Sequence, residues 1–289
     1  DVFLGAGIVE YRRGGKGKKA FDFIGGNLGF VDSCNPSYEV VENAAELAEA
    51  TAMAPNGKLL GIWGGYTLKF TIDRDPGTTL PTLAEMTAKA IDVLSRDPDG
   101  FFLMVESGAI DWMAHKKDIA GTARDVVAFD EAIAVAFDFA ENDGETALIV
   151  TADHETGGLE LGDSPNVAFI EGITASTTWM WGQVHRKGMD AEDLLETYAG
   201  VGVTSPPLTQ QEKDAIAAHD EMGISDALNA RANVAWILPT GIPSVAPAKG
   251  NHREVDVPVW AYGPGLAPLE GNIDNTDIGN LIFDLVEGN

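Results

Sequence analysis

The chain has 289 residues, of which 45% are hydrophobic, enough for one large domain with a substantial core. Its formal net charge is −26, which argues against binding DNA or RNA, and it has no apolar run long enough to span a membrane. A single cysteine, Cys34, excludes an internal disulfide and points away from a cysteine-based metal site.

Taken in chain order, Asp1 to Gly7 reads as a strand and turn. Arg12 to Lys19 is a Gly- and Lys-rich loop that mimics a phosphate cradle, but no G-K-[ST] follows, so it reads as a solvated loop. Tyr38 to Met53 reads as a helix with Val41, Ala45, Leu47 and Ala48 inward. Leu59 to Trp63 reads as a strand and Thr82 to Leu94 as a helix. Phe101 to Val105 and Ala147 to Val150 are continuous apolar runs, expected as parallel strands buried on both faces. Between them, Asp118 to Glu141 predicts a long helix with Ile119, Val126, Phe129, Ile133 and Phe137 on its buried side.

From about Glu160 to Val255 the pattern changes to short segments, with Trp179, Trp181, Ser205-Pro206-Pro207 and Ala246-Pro247. It reads as loops and short helices inserted on the site side of the sheet. Thr209 is a plausible cap, with Glu212, for a helix from Leu208 to Met222. The apolar patches Val167-Phe169-Ile170 and Trp179-Met180-Trp181 suit either an interface or the insertion's own core. Val257 to Tyr262 reads as a short strand. Asn275 to Val286 reads as a closing helix that packs Ile278, Leu281, Ile282 and Leu285 on the sheet.

The chemistry gathers at the ends of the two apolar runs. Glu106, Asp111 and His115 follow the first, and Asp153 and His154 follow the second. Asp111 and His115 are four apart, so a helix places them on one face, able to grip one ion. A mixed carboxylate and imidazole set suits zinc, and an oxygen ligand such as Glu106 suits magnesium. In open α/β sheets, ligands collect beyond the carboxyl ends of the strands. His252, six residues before Pro258, would reach the same place from a loop. His185 and His219 lie in polar surroundings and read as surface or locally bonded side chains.

These segments together resemble the alkaline phosphatase family. The resemblance rests on the E-x-x-x-x-D-x-x-x-H spacing from Glu106 to His115, on T-A-D-H-x-T-G-G from Thr151 to Gly158, and on His252 ahead of V-P-V-x-A-Y-G-P-G. The D-V-x-L-G-x-G opening at Asp1 and P-T-L-x-E-M-T from Pro81 to Thr87 add to it. It covers residues 1 to about 160 and about 250 to the end.

The resemblance implies an α/β fold, a three-layer αβα sandwich with a mainly parallel central sheet, incomplete at its N-terminus. Residues 1–159 and 256–289 would form the catalytic core, and 160–255 a crown-like or interface insertion. It implies two zinc ions and one magnesium: Asp111, His115 and His252 at the first zinc, Asp153 and His154 at the second, Glu106 at the magnesium. The implied reaction is phosphomonoester hydrolysis through a phosphoserine or phosphothreonine intermediate. No residue matches the family's nucleophile, bridging metal Asp, phosphate-binding Arg or magnesium-ligating Thr. The chain is therefore expected to be the C-terminal part of such an enzyme, inactive alone, with the missing N-terminal segment as its partner.

A homodimer and a periplasmic or secreted location also follow from the resemblance. The acidity suits either a halophilic or salt-tolerant, marine source or ordinary acidity for solubility. Trp112, directly after Asp111, resembles some marine members and implies a lost water-mediated phosphate contact and faster product release. Two other readings stand beside this one: a phosphodiesterase or sulfatase relative, and a non-catalytic metal-binding fragment.

Overall fold

A computed structural model describes residues 1–6, 38–52, 57–63, 67–218, 222–237 and 252–288. Cys34, the loop from Arg12 to Lys19, and His219 lie outside the described residues.

The fold is α/β, with a parallel sheet flanked by helices. Strands β1 (Val2–Gly5), β2 (Glu39–Val41) and β3 (Leu59–Ile62) form that sheet in the order β1-β3-β2. β3 runs parallel to both neighbours, with Leu60 beside Phe3 and Val40. Its central place explains why Leu59 and Leu60 are buried. The helix expected over Tyr38 to Met53 splits into β2 and a short α1 (Ala44–Glu49). The adjacent β-branched Val40 and Val41 join the ladder with β3, and Asn43 then caps α1 by accepting from the Glu46 amide.

Helix α2 (Leu83–Leu94) begins at a capping box. The Glu85 amide donates to Thr82 Oγ1, and the Thr82 amide donates to the Glu85 carboxylate. It packs on the β1-β3-β2 sheet through Met86 and Val93. After it come the short α3 (Ala109–His115) and the long α4 (Ile119–Asp143). Asp118 caps α4, and Gly144 ends it in the left-handed region at φ 74°.

Two expectations for this region are corrected. The run Phe101 to Val105 joins no ladder among the described residues. It has no regular secondary structure, with Phe101, Leu103 and Val105 half-buried and Phe102 and Met104 exposed. The face of α4 expected to be buried is open in part. Val126 and Phe137 are exposed, and the buried positions are Ile119, Ala120, Gly121, Thr122, Asp125, Ala132 and Ala140.

Strand β4 (Leu148–Thr151) pairs antiparallel with β7 (Val259–Tyr262), placing Val150 beside Trp260. The pairing differs from the parallel neighbour expected for β4. Trp260 is exposed, while Tyr262 meets Phe137 of α4 with ring centroids 4.7 Å apart. The closing helix α10 (Asn275–Glu287) has the expected amphipathic order, but none of its residues is buried. The apolar surface around β4, β7 and α10 is therefore covered only in part.

The described residues of 160–255 are more regular than their composition suggests. Strands β5 (Leu159–Leu161) and β6 (Val234–Trp236) pair antiparallel and close the helices between them into one unit. Between them lie α5 (Val167–Gly172), α6 (Thr177–Lys187), α7 (Ala191–Ala199), α8 (Gln210–Ala217) and α9 (Gly223–Ala232). Each of α5 to α8 starts at a side-chain cap (Asn166, Ser176, Asp190 and Thr209), which lets short helices persist despite weak propensity. Their inner faces share one core built on Phe169, Ile173, Met180, Leu194, Leu195, Ile216, Ile224 and Leu228. Ile72, Ile119 and Ala120 complete that core, so these helices are rooted in the chain that carries α4.

Candidate metal centre

Helix α3 is seven residues long, and its i, i+4 spacing puts Asp111 and His115 on one face. Its other face carries Met113 and Ala114, both buried, which turns the polar pair outward. His252, on the segment leading into β7, arrives opposite them.

His252 Nε2 is 3.3 Å from His115 Nε2 and 3.7 Å from Asp111 Oδ1. His115 Nε2 is 3.4 Å from Asp111 Oδ1. Ligands held about 2.0–2.1 Å from a tetrahedral zinc stand roughly 3.3–3.4 Å from one another. The three donor atoms therefore form one face of a tetrahedron of zinc size, with Asp111 and His115 half-buried and His252 exposed. A set of two imidazoles and a carboxylate is a zinc-type donor set. Among the described residues no other trio of His, Cys, Asp or Glu meets so closely.

The remaining sequence candidates are not members of this trio. The His154 ring stacks on His252, with centroids 3.5 Å apart, and its Nε2 is 3.2 Å from Asp153 Oδ2. Asp153 itself is open to solvent, beyond the end of β4. Glu106 is exposed at the end of the 101–105 run, outside the trio. Trp112 is 41% exposed, on the outer side of α3 next to Asp111. His185 lies in α6, with its ring 4.8 Å from Trp181.

The structure adds residues that spacing alone does not single out. Thr156 Oγ1 donates to Asp111 Oδ1 at 2.6 Å and lies 3.1 Å from His154 Nδ1, so one hydroxyl orients both side chains. Glu155 accepts from the amides of Gly158 and Arg253, at 2.6 and 3.0 Å. It thereby ties the loop after β4 to the residue next to His252. The Arg253 guanidinium is held by Glu155 and Glu160, each at 3.4 Å. Gly157 and Gly158 have φ of 80° and 68°. A Cβ on Gly157 would stand 2.9 Å from the Ala114 carbonyl, and one on Gly158 would overlap the Ile237 carbonyl. The T-G-G pattern is thus a close crossing of the β4 loop over α3 and the chain beyond β6.

Residues 2–287 match the family model described as alkaline phosphatase. The chain belongs to the alkaline phosphatase family. It is 35% identical over 237 residues to alkaline phosphatase 4 of Bacillus subtilis, covering 80% of this chain and 48% of that protein. It is 32% identical over 285 residues to alkaline phosphatase 3 of the same organism, covering 95% of this chain and 58% of that one. Among solved structures, a cold-active alkaline phosphatase from a psychrophilic Shewanella superposes with a TM-score of 0.76 at 27% identity. That match covers 99% of this chain and 65% of the other. The chain thus spans about half to two thirds of the length of these alkaline phosphatases.

Proposed function

We propose that this chain carries the larger part of the metal centre of a phosphomonoester hydrolase. The observation that supports this most directly is the triangle of Asp111, His115 and His252, in a chain of the alkaline phosphatase family. In this reading those three residues hold the first zinc. Asp153 and His154 contribute to a second zinc, and Glu106 to a magnesium. When bound, such ions supply positive charge that holds a phosphate and offsets the charge growing on the attacking and leaving oxygens. Thr156 keeps the Asp111 carboxylate turned toward the trio. Glu155, through Arg253, keeps the His252 loop in place. Because its guanidinium is committed to Glu155 and Glu160, Arg253 is not assigned to the substrate.

The rest of the reading comes from the family. Hydrolysis runs through a phosphoserine or phosphothreonine, with the nucleophile and a phosphate-binding Arg on a segment that this sequence does not match. In that reading catalysis needs that segment together with the metal ligands of this chain. A homodimer, a periplasmic or secreted location and a salt-tolerant source complete the proposal. The last is supported by the net charge of −26. No helix of the described residues is long and apolar enough to cross a membrane.

The test joins this chain to the upstream segment of a family member and compares a phosphate monoester, a phosphate diester and a sulfate ester in zinc and magnesium. Monoester hydrolysis at least about a hundredfold faster than the other two, and absent without the upstream segment, is expected. Preferred cleavage of the diester or the sulfate would replace this reading with another hydrolase of the same metal class.

A further inference from the structure

Helix α3 is too short to hold its own orientation. Seven residues make few intrahelical bonds, and no side chain caps its N-terminus at Gly108. Its direction must come from what it is tied to, and its last residue, His115, leads straight into a turn of unusual backbone. Lys117 is a non-glycine residue at φ 53°, in the left-handed region. That conformation is unfavourable for an L-residue, because its Cβ crowds the following carbonyl oxygen. Something outside the turn has to hold it.

Three contacts to residues 177–229 do so. Ser225 and Asn229 are four apart on α9, hence on one face, and both are buried. Ser225 Oγ donates to the Lys116 carbonyl at 2.7 Å, and Asn229 Nδ2 donates to the Lys117 carbonyl at 2.9 Å. On the other side, Asp118 is 1% exposed and accepts from the Gly121 amide at 2.8 Å and the Thr177 amide at 2.6 Å. One carboxylate therefore caps α4 and also receives an amide from the first turn of α6. Within the turn, the amides of Lys117 and Asp118 donate to Ala114 and Met113 of α3. The turn is consequently fastened to α3 within the chain and to α9 and α6 across it.

We propose that Ser225, Asn229 and Asp118 are positioning residues of the metal centre: α9 and α6 lock the left-handed turn after His115, and this sets the angle at which Asp111 and His115 face His252. The inference rests on the metal-centre reading above and goes beyond it. It makes the 160–255 stretch a support of the metal site, acting from behind α3. Side chains that orient ligands from outside commonly change metal affinity about 10- to 100-fold when removed. Loss of both α9 donors belongs in that range.

The test is a cobalt(II) titration of the 289-residue chain, read by the visible ligand-field bands and by competition with a chelator. Ser225→Ala with Asn229→Ala is expected to lower affinity about 10- to 100-fold and to change the band pattern. Adding Lys117→Gly to that pair is expected to recover most of the affinity, because glycine takes the left-handed turn without strain. Glu212→Gln, which weakens the same stretch far from the turn, is expected to leave affinity and bands unchanged. Wild-type affinity and bands in the Ser225/Asn229 pair, or an equal loss in Glu212→Gln, would overturn the inference. His252→Ala tests the underlying reading separately: cobalt held as tightly by that variant as by the wild type removes the metal centre itself.

Discussion

At the scale of single residues, the centre depends on a few contacts whose loss has a definite direction. Thr156 is the shared partner of Asp111 and His154. Thr156→Val keeps the shape and removes the hydroxyl, so zinc affinity should fall about 10- to 100-fold while the unfolding midpoint moves little. Titration against a chelator measures the first and thermal unfolding the second. Gly158 is constrained more severely, by its positive φ and by the Ile237 carbonyl. Gly158→Ala should cost at least about 2 kcal/mol in denaturant unfolding, since a shift of backbone is needed to admit the methyl.

Arg231 donates to Glu212 through Nη1 at 2.6 Å and Nη2 at 3.1 Å. These bonds, helped by the Thr209 cap, hold the Glu212 carboxyl down to about 2. Its folded value lies below the unfolded one, so the stabilisation is present above about pH 4.5 and is lost as the pH falls toward 2. Allowing for solvent screening, the pair contributes about 1–2 kcal/mol at neutral pH. Glu212→Gln should be less stable by that amount at pH 7, and its difference from the wild type should vanish near pH 2. An undiminished difference at pH 2 would contradict the assignment.

At the scale of elements, much of the order is legible in the sequence. Thr82, Asn275 to Val286, and the 3.6-residue pattern after Asp118 announce helices that the structure contains. The i, i+4 pair Asp111 and His115 announces its own helix face. What pattern alone misses has physical causes. Val40 and Val41 look helical among carboxylates, but their β-branching fits the ladder beside β3. Five short helices between β5 and β6 depend on caps and a shared core more than on long periodicity. At the centre, the ligand types and the glycines can be read from spacing. The roles of Glu155, Thr156 and Arg253 cannot, because they arise where the β4 loop, α3 and the approach to β7 meet in space.

The run Phe101 to Val105 carries an element-scale prediction. It has a strand's alternation, with Phe102 and Met104 bare, and no ladder partner among the described residues. Backbone amides without ladder bonds exchange quickly. Hydrogen exchange should therefore be fast over 101–105 in this chain alone. It should slow at least about a hundredfold when the upstream family segment is joined to it. Equal exchange in the two proteins would show that the segment packs elsewhere.

At the scale of the whole molecule, two features stand together. The helices between β5 and β6 and the β1-β3-β2 sheet each have a buried core, whereas β4, β7 and α10 do not share in either. The elements that bring His154 and His252 together are thus the least covered, with Trp260 62% exposed on β7. Over this lies a strongly acidic charge, with 45 Asp and Glu against 19 Lys and Arg. Self-repulsion at that imbalance is screened by salt. The thermal midpoint should rise from low to molar sodium chloride, and a midpoint that falls would count against a salt-tolerant design.

Asp111, His115 and His252 should hold one zinc ion within this chain. The most direct measurement is the zinc content of the purified chain after dialysis against a weak chelator, for the wild type and for His252→Ala. One tightly held zinc per chain is expected in the wild type, and its loss in the variant. Zinc retained equally by both, or by neither, would contradict it.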